Sequence, residues 1–217
     1  KTRSIFHFSN EFRILLKGLM AGVTGLEQGK KGGNGAVRLE SSLHNLNNIV
    51  NESNLMRLLE QKDYADRNVR FSVQNLVKEQ IESALMGTGA GKSRLQAILP
   101  ENDFEILGDP DLYGMALYHL IENALLYSTG RVEVIVSNED GRTRFDVVDE
   151  GPGLPPEQQA LIFQKFVRGP DEQEKPGIGI GLTLVELIAR HLRGKVELRS
   201  APGFHSVFSL IVPGRAA

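Results

Sequence analysis

Gly177-Ile-Gly-Ile-Gly-Leu182 places glycines at alternate positions and runs directly into an apolar helical pattern from Leu182 to Leu192. Glycine tolerates positive φ and lets backbone N–H groups approach an anion, and a following helix adds the positive end of its dipole. That chemistry is a phosphate cradle. Glycine repeats also build ordinary turns, so the run gains meaning from three other stretches. His119-Leu-Ile-Glu-Asn-Ala-Leu-Leu-Tyr-Ser128 falls on a helical pattern whose apolar face includes Leu117, Leu120, Ile121 and Ala124. Asn123 adjoins that face, and its carbonyl oxygen suits Mg²⁺, which takes hard oxygen ligands. His119 lies one turn before it and Tyr127 one turn after. Asp149-Glu-Gly-Pro-Gly-Leu154 ends the strand-like run Arg144–Val148. A carboxylate there can accept a hydrogen bond from an exocyclic amine such as that of adenine, and Gly151 and Gly153 read equally well as a tight turn. In Ile162-Phe-Gln-Lys-Phe-Val-Arg-Gly169 two phenylalanines anchor the segment and leave Lys165 and Arg168 free to meet phosphate.

The elements that must hold these groups form two domains, residues 1–65 and 66–217. In the first, Ile5, Phe8, Phe12, Leu15, Leu19, Val23 and Leu26 trace one buried helical seam, and Gly29-Lys-Lys-Gly-Gly-Asn-Gly35 ends it. Leu39, Leu43, Leu46, Ile49, Val50, Met56 and Leu59 mark a second helix. Two helices cannot enclose a core, so the antiparallel hairpin is expected to pair with a second copy as a dimeric four-helix bundle. Packing on its own chain is the alternative. The second domain reads as a short extended piece at Val69–Val73, a helix over Leu76–Leu85, and strands at Val132–Ser137, Arg144–Val148, Lys195–Ser200 and Ser206–Val212. Pro170-Asp-Glu-Gln-Glu-Lys-Pro176 is polar and bracketed by prolines, as a mobile lid would be.

Met86-Gly-Thr-Gly-Ala-Gly-Lys-Ser93 imitates a P-loop, but the motif's first glycine is Met86 and the run follows a helical pattern rather than a strand, so it reads as a surface turn. A formal net charge of −2 gives no attraction to nucleic acid or an anionic membrane. The absence of cysteine removes disulfides, thiolate metal sites and thiol nucleophiles. No apolar run is long enough to cross a membrane. These features suit a cytoplasmic protein, or the cytoplasmic part of a membrane-bound sensor. The first helix opens at Lys1 without a cap, which reads as a boundary inside a longer chain.

In this order and at these intervals the four stretches resemble the N, G1, F and G2 boxes of the GHKL-type ATP-binding domain of sensor histidine kinases. The first 65 residues resemble the dimerisation and phosphoacceptor hairpin of the same kinases. The fold class so implied is α+β, a helical hairpin followed by an α/β sandwich with one mixed sheet covered on one face by helices. The resemblance implies ATP and Mg²⁺ as cofactors, the ion on Asn123, and adenine near Tyr127 and hydrogen-bonded to Asp149. It also implies phosphate contacts from Arg168 and the backbone of Gly177, Gly179 and Gly181, with Leu182, Lys165, Gly151 and Gly153 completing the ATP site. Implied partners are a second copy of the chain and a response regulator or partner kinase.

The departures are specific. Leu126 stands where most members place a basic residue three positions after the asparagine. His119 stands where many carry asparagine and the hydrolysing relatives a glutamate base, which argues against a dedicated ATP hydrolase and makes His119 a candidate proton acceptor. Ser9-Asn-Glu-Phe-Arg-Ile-Leu-Leu16 resembles the H box Ser-His-Glu-Leu-Arg-Thr-Pro-Leu, with Asn10 in the place of the phosphorylated histidine and Glu11 beside it. An amide nitrogen has its lone pair delocalised into the carbonyl and is no nucleophile toward phosphorus. Ile14 replaces the residue that orients water for dephosphorylation, and Leu15 replaces the kink proline. His7, one turn before Asn10 and on its face, is an alternative displaced acceptor that lacks the following acid, and His44 reads as solvated. The expected protein is a two-component kinase core that binds Mg·ATP and cannot phosphorylate its own Asn10, either by natural degeneration or by an inactivating substitution. The competing reading is a non-catalytic dimeric signalling module whose ATP domain is a conformational element; a serine kinase or hydrolase of the same group is a third, disfavoured by the hairpin.

Overall fold

The computed structural model describes residues 34–167 and 179–214. Asn10, Glu11, the first helix, Arg168, the expected lid and Gly177 lie outside the described residues. Two compact units are present: Lys1–Tyr64 with Lys165–Gly179, and Ala65–Gln164 with Ile180–Ala217.

In the first unit, helix α1 spans Asn34–Gln61. It starts inside the glycine run expected to break it, because N–H groups of a first turn need no intrahelical partner and Gly35 costs little there. Lys62, at φ 60, ends the helix in the left-handed conformation. Although α1 is 28 residues long, no helix among the described residues is long and apolar enough to cross a membrane.

The second unit begins with β1 (Val69–Ser72) and α2 (Val73–Thr88). Ser72 caps α2, its Oγ accepting the Asn75 N–H at 3.0 Å, which explains why the extended piece stops one residue short of Val73. After a 3-10 turn at Lys92–Arg94 come β2 (Leu95–Ile98) and β3 (Glu105–Gly108), neither expected from sequence. Helix α3 (Pro110–Tyr127) follows, with Pro110 in its first turn. Buried Asp109 caps it: Oδ1 accepts the Asp111 N–H at 3.1 Å and Oδ2 accepts the Arg67 N–H at 2.8 Å. The remaining elements are β4 (Val132–Glu139), β5 (Arg142–Asp149), the four-residue α4 (Pro156–Gln159), α5 (Gly181–His191), β6 (Lys195–Arg199) and β7 (Ser206–Pro213).

The sheet order is β2-β4-β5-β7-β6, with β2 parallel to β4 and every other pair antiparallel. It is mixed, as the resemblance implies. β1 and β3 form a separate two-stranded antiparallel ribbon. Alternation assigns the faces: Val132, Val134, Val136, Phe145, Val147, Phe208, Leu210 and Val212 are buried with Leu117, Leu120, Ile121, Leu184 and Ile188 of the helices. On the opposite face Arg144 donates to both Asp146 oxygens and to Ser209 Oγ. The β4–β5 hairpin turns on Asp140 and Gly141, both at positive φ, the backbone a two-residue hairpin requires.

Thr143 on β5 is fully buried, and its Oγ1 has no hydrogen-bond partner. Removing a buried unsatisfied hydroxyl should stabilise, so Thr143→Val is expected to gain about 1 kcal/mol. A higher urea midpoint at unchanged m-value would show it; a lower midpoint would refute it.

Candidate functional site

Helix α3 is the axis of the site. His119, Asn123 and Tyr127 sit at successive four-residue steps along it, on one side, and span about 12 Å at 1.5 Å per residue. His119 is buried, while Asn123 and Tyr127 are partly exposed beside the core residues Leu120, Ile121 and Ala124.

At the Tyr127 end α3 meets the turn that follows β5. Asp149 is 5% exposed, and its Oδ1 accepts the Gly151 N–H at 2.8 Å. A Cβ on Gly151 would crowd that same oxygen and approach the Tyr127 carbonyl oxygen. Burial pushes the Asp149 carboxyl above the usual carboxylate range, opposed by the Gly151 N–H and by the charge of His205. Gly153 has φ 70, and a Cβ there would collide with the carbonyl oxygens of Ala201 and Phe204. The turn is further stitched to the β6–β7 connection. The Leu154 N–H donates to Ser200 Oγ at 2.8 Å, the Gly203 N–H to the Pro152 carbonyl at 2.8 Å, and Gln159 Nε2 to the carbonyls of Leu154 and Ser200. Both glycines therefore serve close backbone approach around Asp149.

At the His119 end α3 meets the start of α5. A Cβ on Gly181 would stand 3.1 Å from His119 Nδ1, so the glycine lets the two helices close up. No side chain caps α5, whose first turn carries Gly181 and the half-buried Leu182. Thr183 Oγ1 donates to the Phe163 carbonyl at 2.9 Å and ties the helix to the preceding segment. Glu122 faces His119, with Oε2 3.7 Å from Nδ1, and its Oε1 accepts the Tyr118 hydroxyl at 3.0 Å.

Thus His119, Asn123, Tyr127, Asp149, Gly151, Gly153, Gly181 and Leu182 all belong to the second unit. Lys165 and Gly179 belong to the first. The Lys165 ammonium, read from sequence as free for phosphate, is paired with Glu60 Oε1 at 2.6 Å. Gly179 sits at φ 74, and its carbonyl accepts the Phe166 N–H at 2.8 Å. Sequence reading missed Glu122, whose signal was its place one helical turn from His119. It also missed Arg94, which donates to three main-chain carbonyls around the end of α3 and has no local sequence signal.

The geometry has counterparts. The chain is 28% identical over 203 residues to the sensor histidine kinase CpxA of Escherichia coli (strain K12), covering 92% of this chain and 44% of that protein. It therefore spans under half the length of that curated relative. The solved structure of full-length ShkA in complex with AMPPNP is 25% identical, with a TM-score of 0.73 over 97% of this chain and 45% of that one. The Acinetobacter baumannii histidine kinase AdeS, at 20% identity, shares the fold with a TM-score of 0.69 over 94% of this chain and 98% of that one. Residues 108–216, which include α3, the Asp149 turn and α5, match the family described as histidine kinase-, DNA gyrase B- and HSP90-like ATPase. The protein belongs to that family.

Proposed function

We propose that this core binds Mg·ATP along α3 and that, with Asn10 in the acceptor position, it does not phosphorylate itself. The observation that carries the nucleotide reading is the convergence at one end of α3 of the buried Asp149 carboxylate, Gly151 and the Tyr127 carbonyl. An exocyclic amine meets the carboxylate there, and the adenine ring packs near Tyr127. The triphosphate then runs toward Gly181 and the uncapped start of α5, where backbone N–H groups and the helix dipole favour an anion. Leu182 is a further ATP contact, and the resemblance adds Lys165, Arg168, Gly177 and Gly179. The ATP analogue held by ShkA supports the same ligand class.

Asn123 offers Mg²⁺ one amide oxygen. When bound, Mg·ATP supplies an electrophilic γ-phosphoryl group. His119 is the candidate proton acceptor, with Glu122 beside its Nδ1. What position 10 lacks is the imidazole that would form a P–N bond as the bond to ADP breaks; Glu11 is the acid the motif supplies beside that position. The protein then acts as a homodimer through its hairpin, on the cytoplasmic side, by conformation toward a response regulator or by phosphorylating a partner kinase.

Incubation with γ-labelled ATP and Mg²⁺ tests the reading. The unmodified chain is expected to bind a fluorescent ATP analogue saturably yet take up no label, while Asn10→His gains acid-labile label. Label on any histidine of the unmodified chain would refute the acceptor assignment. Failure to bind the analogue would refute the nucleotide reading.

A further inference from the structure

The P-loop-like run Gly87–Ser93 has no place in the site above, yet it delivers one side chain to it. We propose that Arg94 is a positioning residue for nucleotide recognition, a single guanidinium that holds the end of α3 in register with the turn bearing Asp149. The inference rests on the reading of this site as an ATP site.

The run is built to aim this residue. Gly89, at φ 67, ends α2 with its N–H on the Leu85 carbonyl, and the 3-10 turn closes with the Arg94 N–H on the Gly91 carbonyl at 3.0 Å. Arg94 is therefore the last residue before β2, and Leu95 pairs with Val132 at the start of β4. That register sets the guanidinium beside the α3–β4 connection. Its Nη2 donates to the Ser128 carbonyl at 2.6 Å, its Nε to the Gly130 carbonyl at 3.1 Å, and its Nη1 more distantly to the Leu125 carbonyl at 3.5 Å. Carbonyls at a helix C-terminus have no intrahelical donor, and a cation there also meets the negative end of the dipole. A rigid planar fork reaches the Ser128 and Leu125 oxygens and the Gly130 carbonyl together, where an ammonium would reach fewer.

Two further links lead to Asp149. Arg131 and Glu150 exchange hydrogen bonds, the Arg131 N–H donating to Glu150 Oε2 at 2.9 Å and the Glu150 N–H to the Arg131 carbonyl at 3.1 Å. Gly130 lies against Glu150 so closely that a Cβ would clash with its side chain. Asp149 itself pairs with Val132, across the sheet from the connection that Arg94 holds. Without the guanidinium, the last turn of α3 with Tyr127 and the turn with Asp149 lose their common tether. The phosphate end, at His119 and Gly181, lies two turns away and keeps its packing. The loss should fall on the base rather than on the triphosphate.

The test measures binding of a fluorescent ATP analogue to the full chain in Mg²⁺, with ATP and GTP as competitors, at a temperature where each variant is folded by circular dichroism. GTP presents a carbonyl where adenine presents an amine, so it does not draw on Asp149 in the same way. Arg94→Ala is expected to weaken ATP by about tenfold, the scale of one lost charge-assisted hydrogen bond, and GTP by no more than about twofold. Arg94→Lys should fall between, and millimolar ethylguanidinium should restore part of the ATP affinity of Arg94→Ala. Overturning results are a folded Arg94→Ala that binds ATP within twofold of the unmodified chain, an equal loss for ATP and GTP, or failure of both variants to fold, which would mark a structural role alone. If the unmodified chain itself does not bind ATP, the nucleotide reading has failed, and no variant is needed to see it.

Discussion

Asp149→Asn is expected to abolish measurable ATP binding while making the nucleotide-free protein more stable. The Gly151 N–H donates to Oδ1, so in the variant the amide oxygen must take that place and the amide nitrogen falls where Oδ2 was. A donor then faces the donor amine of adenine, and affinity should drop about a hundredfold or more. Stability moves the other way because the carboxylate is costly to bury: burial raises its pKa above the unfolded value of about 3.9. The folded state thus holds the Asp149 proton more tightly than the unfolded chain does. Its stability falls as pH rises from the unfolded value through the folded one, and it stays lower above that window. Asparagine carries no such charge. The stability difference between variant and unmodified chain should be smallest at the acid side of the window, grow across it and level off above it in favour of asparagine. Urea unfolding at several pH values checks this, and a difference that is constant with pH would rule it out.

Gly153→Ala is the second large effect, on the fold rather than on affinity. The backbone at φ 70 disfavours any Cβ, and the space is closed by the Ala201 and Phe204 carbonyl oxygens, which cannot swing aside as a flexible side chain would. A loss of about 2–4 kcal/mol is expected, combining left-handed strain with a forced shift of the β6–β7 connection. Gly203 supplies the control. It has φ 77 but nothing within 4 Å of the point where a Cβ would stand, so Gly203→Ala should cost only about 1 kcal/mol. Equal losses at the two positions in denaturant titrations would show that φ alone, and not the close approach at Gly153, sets the requirement.

Much of the ATP-binding unit was legible because its signals are local. Strands β4 to β7 run for eight, eight, five and eight residues, long enough for apolar positions to mark a buried face, and each expected span ends within two residues of the observed one. The Asn123 helix and the helix after the glycine run announced themselves by apolar period. Strands β2 and β3 did not, since four residues hold only two alternations. The ion pair of Lys165 was not legible because its partner, Glu60, lies about a hundred positions earlier in the chain. Gly151 and Gly153 were placed in the site on their position alone; only the structure gives the reason, a carboxylate at one and two carbonyls at the other. Arg94 was the least legible, because its partners are main-chain oxygens and carry no residue identity. The run before it reads from sequence only as a surface turn.

Strand β7 lies inside the sheet, between β5 and β6, although it is the last of the described strands in chain order. A ribosome therefore releases β5, with Asp149 at its end, long before the neighbour that covers its second edge. Until Ser206–Pro213 emerges, that edge offers unpaired backbone to any passing strand, and β6 has nothing to pair with. A ligand that needs both α3 and the Asp149 turn in place can hold only the finished sheet, so in the cell nucleotide should act late, as a clamp on completed chains rather than a guide to growing ones.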